Sequence, residues 1–366
     1  MSLTAGIVGL PNVGKSTLFN AITKAGAEAE NYPFCTIDPN VGIVEVPDGR
    51  LNKLTEVVTP QKEIPTTFEF TDIAGIVEGA SEGEGLGNQF LSHIRQVDAI
   101  CHVVRCFDND NVTHVSGKVD PVSDIEVINL ELGLADLETV NNRLQRVESL
   151  VRQRDEKGLE EHEILTKIKD ALENDKPARS LEFTKEEQVY VRQLHLLTAK
   201  PVLYVANVSE DDVVAPEDND HVQKVKELAS AEDAEVIIVS ASIEEEISEL
   251  DEDEKQMFLE ELGIEESGLD QLVRAAYDLL DLGTYFTAGE KEVRAWTFRK
   301  GMTAPQAAGI IHTDFERGFI RAETVSYEDL IEAGSMARAR ELGKIRLEGK
   351  DYIVQDGDVI HFRFNV

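Results

Sequence analysis

Apolar residues along this chain gather in short runs separated by polar loops. AGIVGL near the N-terminus, GIVEV (42–46), TTFEFTDI (66–73), AICHVVRCF (99–107), PVLYVAN (201–207) and AEVIIVSA (234–241) are brief, apolar and rich in β-branched residues. That texture predicts buried strands. Segments between several of them follow the helical period instead; in KSTLFNAITKA, Leu18, Phe19 and Ile22 share one face. Strands alternating with helices predict a mostly parallel sheet of the α/β class.

The interval between 107 and 201 is too long for one crossover helix. Leu130, Leu134, Leu137, Val140, Leu144, Val147 and Val151 recur at steps of three and four, which predicts a long amphipathic helix. A break at Lys157-Gly158 and two further helical patterns (Ile164, Leu165, Ile168, Leu172, then Val189, Tyr190, Leu194, Leu197) predict an antiparallel, coiled-coil-like helical hairpin inserted into the α/β domain. After Leu282-Gly283 the pattern becomes short and strand-like: VRAWTFRK, the alternating FIRAETV, and the pair DYIV and DVIHFRF about Gln355-Asp356-Gly357. The expected organisation is an α/β domain in two parts (1–128 and 200–282), a helical insertion (129–199) and a small β-rich domain (283–366).

Composition narrows the class. At 366 residues the chain is long enough for two or three domains. It has 42% hydrophobic and 29% charged residues and no apolar run near the ~20 residues of a membrane span. The N-terminus has no basic stretch ahead of its apolar run, so a cytoplasmic location without membrane attachment is expected. Cys35, Cys101 and Cys106 have no metal-ligand spacing and fit a reducing compartment. For the latter two, burial as small apolar side chains is the simplest account. The net charge of −35 argues against DNA as a partner. From 283 onward, however, twelve basic residues face thirteen acidic ones, so the C-terminal part is electrostatically distinct. Arg294, Arg299, Lys300, Arg317 and Arg321 near Trp296, Phe298, Phe315 and Phe319 could form an RNA-facing patch there, although aromatics in such alternation more often fill a core.

The chemistry concentrates at Gly9-Leu10-Pro11-Asn12-Val13-Gly14-Lys15-Ser16, which matches G-x-x-x-x-G-K-[ST] between a strand and a helix start. Backbone N–H groups from Asn12 to Thr17 are expected to cradle phosphates, with Lys15 bridging the terminal ones and the Ser16 hydroxyl on Mg²⁺. Asp72-Ile73-Ala74-Gly75 ends a strand, setting a carboxylate beside the metal and a glycine where it can sense a γ-phosphate. Thr36 is placed to close a hydroxyl over the metal. Gly85 to Gln89, in SEGEGLGNQ, is a glycine-rich stretch where switching could occur, or a plain turn.

GLPNVGKSTLFNAIT and DIAGIVEGASEGEGLGNQFL resemble the translation-factor-related P-loop GTPases, in detail the Obg branch and within it the YchF family of Obg-like ATPases, bacterial in type. The resemblance covers the whole chain and implies a C-terminal domain of the β-grasp-like TGS kind and the ribosome as partner. Two departures from ordinary GTPases matter. No N-K-x-D occurs; PVLYVAN leads into Asn207-Val208-Ser209-Glu210, so the stacking Lys is missing and Glu replaces the Asp that reads guanine. Asn207 can offer an amide to a purine edge, Val208 an apolar wall, and Ser240, Ala241 and Ser242 backbone N–H groups. The resemblance implies preference for ATP, which these residues permit. The second departure is Ile76, which follows Gly75 where many GTPases carry a water-orienting Gln. The resemblance implies that His114, in the loop DNDNVTHVSGKVDP, assists hydrolysis, and that Asn12 holds K⁺. The reading is a Mg²⁺-dependent ATPase acting as a slow switch. A GTPase with relaxed base reading, or a nucleotide-gated ribosome-binding module whose hydrolysis is incidental, is compatible with the same residues.

Overall fold

Strand β1 (Thr4–Val8) is buried from its second residue onward and delivers the chain into helix α1 (Lys15–Lys24). A computed structural model describes residues 3–25, 40–73, 86–109 and 118–365. Cys35, Thr36, Gly75, Ile76, Gly85 and His114 therefore lie outside the described residues. The chain continues through β2 (Val41–Glu45), α2 (Gly49–Val58), β3 (Lys62–Ile64), β4 (Thr67–Asp72), α3 (Leu86–Gln96) and β5 (Ala99–Arg105). Gly87, Asn88 and Gln89, expected in a switching stretch or turn, stand in the first turn of α3.

Two compact units emerge. One holds the residues up to Ile43 together with Glu69–Ala276; the other holds Val44–Phe68 and everything from Tyr277 on. The first is built on a sheet ordered β2-β4-β1-β5-β6-β7, with β6 (Val202–Asn207) and β7 (Glu235–Val239). β1 is parallel to β4 and β5, β5 to β6, and β6 to β7. Every residue of β5 and β6 is buried, as the unbroken apolar runs require of central parallel strands. Cys101 and Cys106 are buried and free, and burial pushes both thiols up to about 12, which makes them inert apolar filling.

Helix α4 (Pro121–Arg152) is a single element that runs across the expected boundary at 128. It packs against α5 (Glu156–Leu172) around Val140, Val147, Ile164, Leu165, Ile168 and Leu172. The expected hairpin is present, with two corrections. The break falls at 153–155, and Gly158 lies in the first turn of α5, its N–H held by Asp155. Leu130 and Leu134 are 51% and 44% exposed. The first half of α4 buries Ile125, Ile128, Leu132 and Ala135 instead, because that half lies against β5 and α7 (Asp220–Ala231) rather than α5. Helix α6 (Lys185–Leu194) leaves Val189 exposed. Its return strap is fixed by the buried Asp136 carboxylate, which accepts from the N–H groups of Leu197 and Thr198 at 2.8 and 2.7 Å. Helices α8 (Ala241–Ile247), α9 (Glu252–Leu262) and α10 (Gly268–Leu279) follow β7.

The second unit is a mixed sheet ordered β11-β10-β12-β8-β9-β3, from β8 (Leu282–Ala288), β9 (Glu292–Arg299), β10 (Phe319–Ser326), β11 (Arg346–Glu348) and β12 (Asp358–Phe364). Side chains alternate across it. Tyr285 joins Phe298 and Phe362 beneath Ala304, Ala307 and Ala308 of α11 (Ala304–Ile311). Phe286 joins Val293 and Val359 on the other face, covered by Leu51 and Leu54 of α2. Segment 44–68, expected within the α/β domain, is thus part of this second core, with β3 added to the sheet edge in parallel to β9. DYIV does not form a hairpin with β12. Its Ile353 makes only an isolated bridge to Thr303, and the neighbours of β12 are β10 and β8. Of the two readings open for the aromatics here, Phe298 and Phe319 follow the core one, being 2% and 5% exposed. Trp296 is partly buried with the Arg294 guanidinium 4.0 Å from its ring, and Phe315 stacks on Phe364.

Candidate nucleotide-binding site

Parallel strands bring their carboxyl ends to one edge of the sheet, where α/β proteins bind ligands. At that edge in the first unit lie residues 9–16 after β1, Asp72 at the tip of β4, Cys106 after β5, Asn207 closing β6 and Ser240 after β7. The register places Ile7 opposite Asp72, Arg105 opposite Asn207, and Asn207 opposite Val239. The motif of the first loop and the tip of the fourth strand therefore meet for a topological reason.

The loop depends on its glycines. Gly14 has φ +94°, and a Cβ there would collide with the Nδ2 of Asn207; both reasons demand glycine. Gly14 offers its carbonyl to Leu18 N–H at 3.0 Å, starting α1, yet α1 has no side-chain N-cap. Asp48, Asp120 and Asp155 cap α2, α4 and α5, whereas the first N–H groups of α1 are left to whatever anion the loop receives. Lys15 is 9% exposed, and its ammonium donates to Asp72 Oδ1 at 2.5 Å. Ser16 is exposed, Thr17 half-buried, and Asn12 exposed with φ +64°.

Asn207 departs from expectation. It is 4% exposed, its Nδ2 donates to the Val13 carbonyl at 2.8 Å, and its Oδ1 accepts from Ala241 N–H at 3.0 Å. Its amide is a strut between the phosphate loop and the β7–α8 junction, with one N–H and one oxygen lone pair committed to the protein. Ala241 N–H is likewise engaged, and Val208 is 2% exposed with its N–H on Val239 O. Ser240 is buried, its hydroxyl 3.0 Å from that of Ser242. Of this loop, Glu210 is exposed and Ser209 half-buried. A buried strand ending in an amide side chain was the sequence signal for a strut, since buried amides are paired.

Arg105 was concealed in an apolar run. It is 1% exposed at the end of β5, with Nε donating to Phe107 O at 3.0 Å and a terminal nitrogen to Asn109 O at 3.2 Å. A buried guanidinium costs several kcal/mol unless its donors are satisfied, and here it fixes the stem of the chain leaving β5.

The oxygen donors at this edge are hard. The Ser16 hydroxyl and the Asp72 carboxylate, a quarter exposed, are the types that hold Mg²⁺ alongside phosphate oxygens and water. Among the described residues no group of three His, Cys, Asp or Glu side chains gathers as a protein-only metal site, and none of their helices is long and apolar enough to cross a membrane.

A family profile described as a 50S ribosome-binding GTPase (MMR_HSR1) matches residues 4–143, and the YchF-GTPase_C profile, described as a protein of unknown function, matches 282–365. Over its full length the chain is 73% identical to all of a Bacillus subtilis protein named ribosome-binding ATPase YchF. It is 47% identical to an Obg-like ATPase 1 of Caenorhabditis elegans, covering all of this chain and 92% of that one. The solved YchF GTPase of Schizosaccharomyces pombe superposes with a TM-score of 0.90 at 40% identity, over 99% of this chain and 98% of its own. Likeness that runs unbroken through the phosphate loop, the helical hairpin and the second sheet leaves one conclusion: the chain belongs to the YchF family.

Proposed function

We propose that the first unit binds and hydrolyses ATP with Mg²⁺ and that the protein works as a slow nucleotide-driven switch on the ribosome. The observation that carries the reading is the contact between Lys15 and Asp72 at the head of a glycine-shaped loop. On nucleotide binding Lys15 exchanges its carboxylate for the terminal phosphates, which frees Asp72 to support the metal beside the exposed Ser16 hydroxyl. Mg²⁺ supplies charge neutralisation at the phosphate oxygens. The loop N–H groups orient the triphosphate, and positioning does most of the work. Thr36 as a second metal hydroxyl, Gly75 as γ-phosphate sensor and His114 as the group assisting water belong to this proposal, as does K⁺ at Asn12. Full-length identity to proteins named ribosome-binding ATPases supports both the substrate and the ribosome as partner.

The test is calorimetric titration of nucleotide-free protein with non-hydrolysable ATP and GTP analogues in Mg²⁺ and K⁺ buffer, followed by phosphate release assays. We expect ATP to bind at least about tenfold tighter, about 1.4 kcal/mol, turnover to vanish with EDTA, and turnover to fall when Na⁺ replaces K⁺. Tighter binding of GTP would overturn the substrate assignment, equal rates in Na⁺ and K⁺ the role of Asn12. Cosedimentation with ribosomes that ignores nucleotide state would overturn the switch.

A further inference from the structure

Asn219 stands outside every motif, at the N-cap of α7, yet all four hydrogen-bonding capacities of its amide are used. Oδ1 accepts from the N–H groups of His221 and Val222 at 2.9 and 3.1 Å, capping the helix. Nδ2 donates to the Cys106 carbonyl at 2.8 Å and to Asp212 Oδ2 at 3.0 Å. The partners fix the orientation of the amide, because a carbonyl only accepts and a backbone N–H only donates. A helix cap requires only the first pair; Ser, Thr or Asp would serve.

The second pair does different work. Asp212 also accepts from the Ser209 hydroxyl at 2.8 Å, and its N–H donates to Ser209 O at 3.2 Å, so it closes the turn that follows Asn207. Cys106 in turn donates its N–H to Asn207 O at 2.8 Å. From one half-buried amide, hydrogen bonds run to the loop after β6, the chain leaving β5 and, through Asn207, to Val13 of the phosphate loop.

We infer that Asn219 is a positioning residue for nucleotide recognition, holding the Ser209–Asp212 turn against the end of β5 so that the exposed Glu210 is presented at a fixed place in the loop after β6. It acts on the base half of a nucleotide and leaves the phosphate half to residues 9–16. The inference rests on the reading of this edge as an ATP site.

The cap and the tether can be separated by substitution. Asn219→Asp keeps a capping oxygen but sets a carboxylate against Cys106 O and Asp212. Asn219→Ser keeps a cap and removes both tethers without adding charge. We measure affinity for an ATP analogue, a GTP analogue and inorganic tripolyphosphate, each with Mg²⁺, on the full chain, together with the melting temperature. The expected result is that both variants melt near the wild type, bind tripolyphosphate within about twofold of it, and bind the ATP analogue about tenfold more weakly, with the ATP-to-GTP ratio moving toward one. ATP affinity unchanged in both variants, with wild-type ATP binding intact, overturns the inference alone. ATP and tripolyphosphate affinities falling together also overturns it, since that is the signature of general loosening. A wild type that does not bind ATP removes the underlying reading and the inference with it.

Discussion

Lys15 and Asp72, 57 residues apart in sequence, meet at 2.5 Å because β1 and β4 are adjacent parallel strands that end together. The pair keeps a largely buried ammonium compensated, and it stores the two charges a triphosphate and its metal would separate. Lys15→Ala is expected to lower ATP turnover by at least about a hundredfold, in line with the loss of one preorganised cation at developing charge. Its unfolding midpoint in urea should stay close to the wild type. Turnover within a few-fold of the wild type would remove Lys15 from the phosphate site.

Asn207→Ala strands the Val13 carbonyl and the Ala241 N–H, both partners of one buried amide. Leaving two such groups unsatisfied costs about 2–4 kcal/mol. Urea denaturation of the nucleotide-free protein measures it, and a loss under about 0.5 kcal/mol would show that the amide carries no strain-bearing link.

Glu244 is 3% exposed on α8, and burial raises its carboxyl to about 7, against the opposing hydrogen bonds from the Gly268 and Leu269 N–H groups at the start of α10. Asp270 adds to the rise and Lys255 reduces it. A carboxyl with a raised folded-state pKa binds more protons folded than unfolded between its ordinary 4.5 and about 7. Its favourable contribution is therefore complete below 4.5 and is lost as the pH rises through 7. Glu244→Gln keeps an acceptor for Gly268 and removes the titration. The variant should match the wild type near pH 5 and exceed it by roughly 1–3 kcal/mol near pH 8, read as the difference in denaturation free energy. A difference that does not vary with pH would rule this account out.

Arg50 joins Asp48 at 2.8 Å and Asp356 at 2.7 Å, with its guanidinium 5.4 Å from the Phe286 ring centre. Burial pushes Asp356 upward, but hydrogen bonds from Arg50 and the Thr284 N–H overcome it and leave the carboxyl below its ordinary 3.8. Stability from this group is present above 3.8 and disappears as the pH falls through the depressed value. Arg50→Ala should cost about 1–2 kcal/mol near neutrality, discounted for partial exposure. The penalty should shrink in acid; Trp296 fluorescence reports it, since that ring lies in the same unit. An acid-independent penalty would place the effect in packing against Phe286.

The sheet of the first unit was legible because each of its central strands is a continuous apolar run, and residues 9–16 were legible because strand, loop and helix start coincide in sequence. The bracing role of Asn207 was not legible because its partner Val13 lies 194 positions away, and spacing carries no information on such a meeting. Leu130 and Leu134 fit the heptad but not the burial, since one helix changes partners midway and its apolar face changes with it. Segment 44–68 was assigned to the wrong core because β3 is three residues long, two of them charged, too short to carry a period. Asn219 and Arg105 gave only residue type as a signal, an amide before a helix and a cation in an apolar strand.

The covalent path between the two units is itself a constraint. The chain passes from one core to the other after Ile43, back after Phe68, and across again after Ala276. A fragment ending near residue 280 retains α2 and β3 but lacks β8, β9 and β12, so Leu51 and Leu54 lose the surface that buries them. A single proteolytic cut or a simple truncation there leaves the nucleotide-binding half carrying an uncovered α2. Separate expression requires excising 46–66 and rejoining β2 to β4, or else the two halves must be inherited, synthesised and lost together.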